Sequence, residues 1–396
     1  MINLATVFSG IGSIEWALKR MNINHNLVFA CDNGDINLDI NDDEEIRKKI
    51  KSLETKEEQN RFVNNLYSQS KKTNFVKKTY LENYNLDEED FLWDIRFIDG
   101  TKYKGQVDLF VGGSPCQSFS IMGYQKGLED TRGTLFFDYA RLVKEIEPTV
   151  FIFENVQGML KHDKGKTWDV IHKTFLSLGY NIYYKLLDSK DFGIPQTRRR
   201  LFVVGFKNNP KNFNFPKEKD LKYTLQDFLE TSTKFGDFKS INSEIVLNQD
   251  PGEIDDKYFL SELVLKHVMS PGTKNYYSKP EIDLKIARPL LSTMHKMHRA
   301  GVDNYVTYKN KVRRLTPREC LRLMGYDDTF KQVVSDTQMY KQAGNSIVVD
   351  VLINILEEIF KVESFNNKID ISSNQSINLK NKSTNIDDRS EQICFF

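Results

Sequence analysis

The chain has 396 residues, 39% of them apolar and 28% charged, with 56 basic and 55 acidic side chains and a formal net charge of +1. That length exceeds one typical domain of roughly 100–200 residues, the apolar fraction excludes wholesale disorder, and the charge balance leaves nucleic-acid binding to local basic patches. No apolar run reaches the roughly 18–20 residues of a membrane helix, no basic-then-apolar leader opens the chain, and Cys31, Cys116, Cys320 and Cys394 form no C-x-x-C pair, which fits a reducing, cytoplasmic setting.

In chain order, the first 34 residues read as strand, glycine turn, helix, strand. Ile2–Phe8 is an apolar run and Ser9-Gly10-Ile11-Gly12 is the turn. Ile14, Ala17, Leu18 and Met21 share one helical face, and Leu27–Ala30 is a second run ending at Cys31-Asp32. Residues 35–90 carry 14 acidic and 10 basic side chains, which predicts a solvated, helical insertion between strands. Val107–Val111, Thr149–Phe153, Ile182–Leu187 and Leu201–Phe206 are further buried-strand candidates, with helical patterns at about 134–146 and 167–178. Short apolar runs alternating with amphipathic helices predict an α/β fold with a mostly parallel sheet covered on both faces. Residues 207–310 lose the alternation and read as a second, smaller domain. Thr316-Pro317-Arg318-Glu319 has the form of a helix start, with Thr as N-cap, Pro at the first position and Glu closing a capping box. Gly325 terminates that helix. A last helix, about Ser346–Phe360, returns to the main domain. Six Asn and six Ser among residues 363–396 predict a disordered tail.

Several residues carry candidate chemistry. Gly10 and Gly12 either bring backbone close to a ligand at a helix N-terminus, with Asp32 taking ribose hydroxyls, or simply make a tight turn. Cys116 follows Gly112-Gly113-Ser114-Pro115 at the end of a strand, where open parallel sheets bind ligands; the alternative is a small buried hydrophobe. Glu154 ends the strand Thr149–Phe153, and a carboxylate there needs a partner, either a helix or a ligand. In Gln196-Thr197-Arg198-Arg199-Arg200, strand alternation aims Arg198 and Arg200 to one side and Arg199 to the other, unless the segment is an exposed basic turn. Residues 285–318 hold nine Lys or Arg against Asp303 alone, among them Arg288, Lys296, Arg299, Arg313 and Arg314, with aromatic residues interleaved. Such a bias suggests phosphate contact, although charge runs also form solvated faces. His295-x-x-His298 lacks a third ligand nearby, so no metal is expected.

Taken in order, these pieces resemble the DNA cytosine-5 methyltransferase family of bacterial restriction-modification systems. The matching elements are F-S-G-I-G at 8–12, G-S-P-C-Q-S-F-S at 113–120, F-E-N-V at 153–156, Q-T-R-R-R at 196–200, R-R-L-T-P-R-E-C at 313–320 and Q-A-G-N-S at 342–346. Residues 127–136 also look like that family's mobile loop and following helix. The resemblance covers nearly all of 1–34, 91–206 and 311–361. The chain departs from the pattern at Ser13, where a third Gly is common, at Thr6, where an acid often sits, and in the size of the 35–90 insertion.

The resemblance implies a Rossmann-like, S-adenosylmethionine-dependent methyltransferase sheet over 1–206 and 311–362, with a target-recognition domain at 207–310. It implies that the Cys116 thiolate adds to carbon 6 of a flipped cytosine, Glu154 binds ring nitrogen 3 and the exocyclic amine, Arg200 holds the carbon 2 carbonyl and Arg198 orients the loop and phosphate. It places S-adenosylmethionine against Phe8, Gly10, Ile11, Gly12, Asp32, Asp94, Ile95, Leu135, Asn345 and Ser346, and double-stranded DNA against Arg288, Lys296, Arg299, Arg313 and Arg314. A monomer that protects DNA from a cognate restriction endonuclease is expected. The alternatives are a tRNA cytosine-5 methyltransferase and a non-catalytic cofactor-binding DNA regulator. Neither the insertion nor the tail is expected to hold a catalytic residue, so a chain with 41–85 replaced by a short linker should keep detectable transfer.

Overall fold

The structure is a computed structural model that describes residues 1–38, 43–114, 135–273 and 276–366. Cys116, most of the 127–136 segment and the tail beyond residue 366 lie outside the described residues.

Seven strands form the central sheet: β1 (Ile2–Val7), β2 (His25–Cys31), β3 (Phe91–Leu92), β4 (Leu109–Gly112), β5 (Val150–Val156), β6 (Asn181–Asp188) and β7 (Arg199–Phe206). Their order is β3-β2-β1-β4-β5-β7-β6. All neighbours pair in parallel except β7, which runs antiparallel to both β5 and β6. Side chains alternate between two cores, as the period of two requires. Leu109, Val111, Val150, Ile152, Phe202 and Val204 face one core, where α1 (Ser13–Arg20) packs. Phe110, Phe151, Phe153, Leu201 and Val203 face the other.

The expected insertion contains three helices, α2 (Asp43–Lys51), α3 (Lys56–Ser68) and α4 (Phe75–Asn83). Thr55 and Glu58 form a capping box at the start of α3. The insertion is not a free solvated element, because its polar side chains reach into the main domain. Tyr67 binds Asp94, Tyr80 binds Glu15, Tyr84 binds the Gly12 carbonyl and Asn74 binds the Asp32 carbonyl. Hydroxyls and amides make most of these inward contacts, joined by Arg47, which donates to Asp138 and to the Arg96 carbonyl, so a count of charges does not reveal them.

α5 (Leu135–Ile146) and α6 (Lys166–Ser177) cover the second face through Phe136, Tyr139, Val143, Ile171 and Phe175. Residues 207–310 hold α7 (Glu262–Val268) and the two-stranded pairs β8 (Phe238–Ile241) with β9 (Glu244–Leu247) and β10 (Gly272–Thr273) with β11 (Tyr276–Tyr277). β12 (Tyr305–Tyr308) pairs with β13 (Lys311–Arg314) across the expected boundary at 310. Phe213, Phe228, Phe238 and Leu290 join the core of the main sheet, whereas Val268, Ala300 and Tyr305 make a small core of their own.

The capping box at Thr316 and Glu319 is present and opens α8 (Pro317–Arg322). α9 (Asp336–Asn345) leads into α10 (Val349–Phe360), which packs beside α1. A short turn of helix at Glu363–Asn366 buries Phe365 against Phe360, so ordered chain extends past the expected start of the tail.

Candidate active site

The carboxyl ends of β1, β4 and β5 converge on one edge of the sheet. After β1 the chain turns through Phe8 and Gly10, both at positive φ, to Gly12 at φ 78°. A Cβ on Gly12 would lie 2.3 Å from the Tyr84 ring, so only glycine fits there. Asp32, just past β2, accepts from the Gly10 N–H at 2.9 Å and the Gly34 N–H at 2.8 Å. Burial pushes its carboxyl up, and those two N–H groups pull it back. Asp32 thereby ties the glycine turn to the end of β2.

Beneath the turn is a cavity that opens to solvent. Thr6, Phe8, Gly10 and Glu15 line one side, and Asn345 and Ser346 line another. The residues of Q-A-G-N-S divide their work. Gln342 bonds Thr79 and the Phe75 carbonyl of α4. Gly344 lies where a Cβ would sit 2.3 Å from the backbone at residues 291 and 292. Ser346 meets the hydroxyls of Ser13 at 2.8 Å and Tyr326 at 3.0 Å. The departure at Ser13 is thus a contact with the C-terminal segment.

Gly112 lines this cavity and Gly113, next in the chain, abuts Glu154. A Cβ on Gly113 would lie 2.9 Å from Glu154 Oε2. Arg200 Nε pairs with Glu154 Oε1 at 3.1 Å from the neighbouring strand β7. Burial pushes the Glu154 carboxyl up, opposed by the charges of Arg200 and Arg198. Asn155 Nδ2 donates to the Ser114 carbonyl at 2.8 Å and so holds the last described residue before Cys116. The arrangement offers a carboxyl raised by burial, a guanidinium beside it and a cavity on the adjacent strand.

Arg198 is buried, and its guanidinium donates to the carbonyls of Leu290, Gly344 and Ser346 at 2.9–3.0 Å. Burial, then the charge of Arg200, lowers its pKa to about 9. It is a positioning group that joins three chain segments, and not one that reaches out to a phosphate. Arg199 instead points away to Asp188 at 3.1 Å, as the alternation requires.

Other expected site residues lie apart from the cavity. Ile11 is fully buried in the core. Asp94 is paired with Arg96 at 2.7 Å and accepts from Tyr67 at 2.5 Å, and Ile95 packs in the second core. Leu135 begins α5 and packs against that same core. Arg313 requires correction as a DNA contact. It has no exposed surface and donates to both oxygens of Glu319 at 2.8 Å, so it holds β13 to α8. Lys296 is exposed. Arg288 bonds the Ala300 carbonyl, Arg299 bonds Ser270, and Arg314 stacks over Tyr258 and Tyr340. Reading the sequence missed Glu15, Tyr80 and Tyr84; the one available signal was an acid set into the apolar run of α1.

The family profile described as C-5 cytosine-specific DNA methylase matches residues 2–361. The chain belongs to that family. Among relatives of this methyltransferase, the type II methyltransferase M.SsoII of Shigella sonnei is 37% identical over 294 residues, covering 72% of this chain and 71% of its own. The orphan methyltransferase M.SPRI of Bacillus phage SPR is 28% identical over 466 residues, covering 90% and 97%. The structure of the Entamoeba histolytica methyltransferase EhMeth overlays with a TM-score of 0.62 at 18% identity, covering 91% of this chain and 98% of the other. That last likeness is one of fold. No helix among the described residues is long and apolar enough to cross a membrane.

Proposed function

We propose that this methyltransferase transfers a methyl group from S-adenosylmethionine to carbon 5 of a cytosine flipped out of a specific duplex sequence, and that the modification protects DNA from a cognate restriction endonuclease. The observation that carries the reading is the junction at Gly112-Gly113, where the glycine-turn cavity meets the Glu154–Arg200 pair. The cavity suits the cofactor, since it combines open backbone at Gly10 with hydroxyl, amide and carboxylate groups.

S-adenosylmethionine supplies a methyl group on a sulfonium. Phe8 and Gly10 would hold its amino-acid end, with Asn345 and Ser346 opposite, while Ile11 in the core and Gly12 under Tyr84 would support the turn from behind. Asp32 would take the ribose hydroxyls, and Asp94, Ile95 and Leu135, which stand outside the cavity as described, would hold the adenine end. The Cys116 thiolate adds to carbon 6 of the cytosine, and the resulting electron pair makes carbon 5 the nucleophile. Glu154, with its carboxyl held in a low-dielectric site, shares a proton with ring nitrogen 3 and accepts from the exocyclic amine. Arg200 holds the carbon 2 oxygen. Carbon 5 would take the methyl as the sulfur–methyl bond breaks and S-adenosylhomocysteine leaves; loss of the carbon 5 proton to a solvent base then expels the Cys116 thiolate and leaves 5-methylcytosine. Flipping costs a few kcal/mol of stacking and pairing, and residues 207–310 form the target-recognition domain that compensates by gripping the duplex, with Lys296, Arg288 and Arg299, and Arg314 just beyond the domain, toward phosphate.

The test is transfer of labelled methyl from S-adenosylmethionine to duplex DNA and, in parallel, to tRNA, followed by bisulfite sequencing of the DNA. DNA is the expected acceptor. Cys116→Ala should abolish turnover while cofactor affinity persists, because the thiol supplies a covalent step and not ground-state binding. Turnover above about a hundredth of the parent rate would overturn the nucleophile.

A further inference from the structure

Under the glycine turn the cavity contains a carboxylate that none of the roles above uses. Glu15, in the first turn of α1, is 1% exposed and lines the cavity. Its Oε1 accepts from the Tyr80 hydroxyl at 2.6 Å and from the Thr6 hydroxyl at 2.9 Å. Its Oε2 has no hydrogen-bond partner among the described residues. A buried carboxylate oxygen without a donor is costly to the fold and is retained where a ligand completes it. Burial pushes this carboxyl up from the usual range, while Tyr80, its own backbone N–H and Thr6 pull it down.

We infer that Glu15 is the cation-binding residue of the cofactor cavity, its free oxygen accepting from the α-ammonium at the amino-acid end of S-adenosylmethionine, and that Tyr80 of the insertion is the positioning residue that aims it. The inference rests on the reading of this cavity as the S-adenosylmethionine site. The cofactor carries two cations. A sulfonium has no N–H or O–H and cannot satisfy an acceptor, whereas an ammonium has three donors and also offsets the buried charge. Hydroxyls or a neutral amine would satisfy the lone pair but leave that charge uncompensated. Thr6 fits the same logic. At the end of β1, where an acid is common, the chain has a hydroxyl that donates to an acid contributed from α1. Tyr80 belongs to α4, so the insertion fixes the carboxylate's rotamer from outside the sheet.

Calorimetric titration of the full-length protein with S-adenosylmethionine and two analogues tests this. S-adenosylhomocysteine keeps the ammonium and lacks the sulfonium; 5′-methylthioadenosine lacks both and keeps the adenosine and thioether. Glu15→Gln should weaken S-adenosylhomocysteine by roughly 10–100-fold and 5′-methylthioadenosine by less than about twofold. Tyr80→Phe removes one oxygen, preserves the ring packing and should show the same ligand contrast at roughly 3–10-fold. Should Glu15→Gln fail to give a cooperative melt, Tyr80→Phe alone carries the test. Equal losses for both ligands would reduce Glu15 to a structural residue. A loss for S-adenosylmethionine that S-adenosylhomocysteine does not share would assign it to the sulfonium and overturn the inference. If the parent protein binds neither ligand, the cofactor reading itself falls and this inference with it.

Discussion

The insertion at 35–90 and the basic stretch at 285–318 both interrupt the strand–helix rhythm, and both are crowded with charge. They use it in opposite ways. In the insertion Asn74, Tyr80 and Tyr84 reach the backbone or carboxylates of the glycine turn and its neighbours, while charged groups such as Arg47, Asp43 and Glu82 pair with the main domain nearer the surface. In the basic stretch Lys296, Lys309 and Lys311 remain exposed, and the ion pair of Arg313 with Glu319 is wholly internal. Charge density therefore says little about which way a segment faces. The direction is set by groups that tolerate burial once hydrogen-bonded, namely hydroxyls, amides and bidentate guanidinium pairs.

Removing either side of this contrast should have different consequences. The largest effect is expected from replacing 41–85 with a Gly-Ser linker. That change strips donors from Glu15 and Asp94 and the cover from Gly12, so the protein should lose its cooperative melt and its binding of S-adenosylhomocysteine, as read by circular dichroism and calorimetry. Retained binding with methyl transfer would return the insertion to a solvated appendage. Arg313→Ala comes next. It leaves Glu319 buried and unpaired, at a cost of about 3–5 kcal/mol in denaturant unfolding, with no change in the salt slope of DNA binding beyond that due to the smaller folded fraction.

Asp303 sharpens the second region from inside. Burial raises its carboxyl to about 7 from 3.8, against the backbone N–H groups of His298 and Asn304. The folded chain therefore keeps a proton that the unfolded chain releases near pH 4. Stability should fall as pH rises from about 4 to about 7, by up to about 4 kcal/mol. Asp303→Asn should remove that slope and be the more stable protein at pH 8, with urea midpoints at pH 5 and pH 8 as the measurement. Parallel midpoints for the two proteins would mean Asp303 is ionised in the folded state. The smallest effects belong to Lys296→Ala, Lys309→Ala and Lys311→Ala. Each should leave stability alone and flatten the log–log salt dependence of DNA affinity by about 0.9 for every phosphate that the protein no longer neutralises.

The sheet was legible in the sequence because buried strands are continuous apolar runs, and all six runs named there are strands of the sheet. β3, only Phe91–Leu92, was too short to register. The helix start at Thr316 was legible because a capping box is local chemistry. The glycine turn and Glu154 were legible as positions, and their partners were not. Arg200 reaches Glu154 through strand pairing 46 residues apart, and Tyr80 reaches Glu15 across 65. Arg313 reads as a DNA contact for a different reason: Glu319, its carboxylate partner, lies just past the basic stretch 285–318.

Arg198 has a consequence for the order in which this protein is made. Its guanidinium is completed by carbonyls at residues 290, 344 and 346, the last of them 148 positions downstream. α10 then lays Leu352, Ile355 and Ile359 into the core that α1 began. A ribosome that has delivered the whole sheet has therefore not delivered a finished enzyme, because a buried cation and one face of the sheet still await the final segment. Contacts of such long sequence separation form slowly. The interval between the first strand and the last helix is thus a period of exposure, and hydrogen exchange on stalled nascent chains would show when it ends.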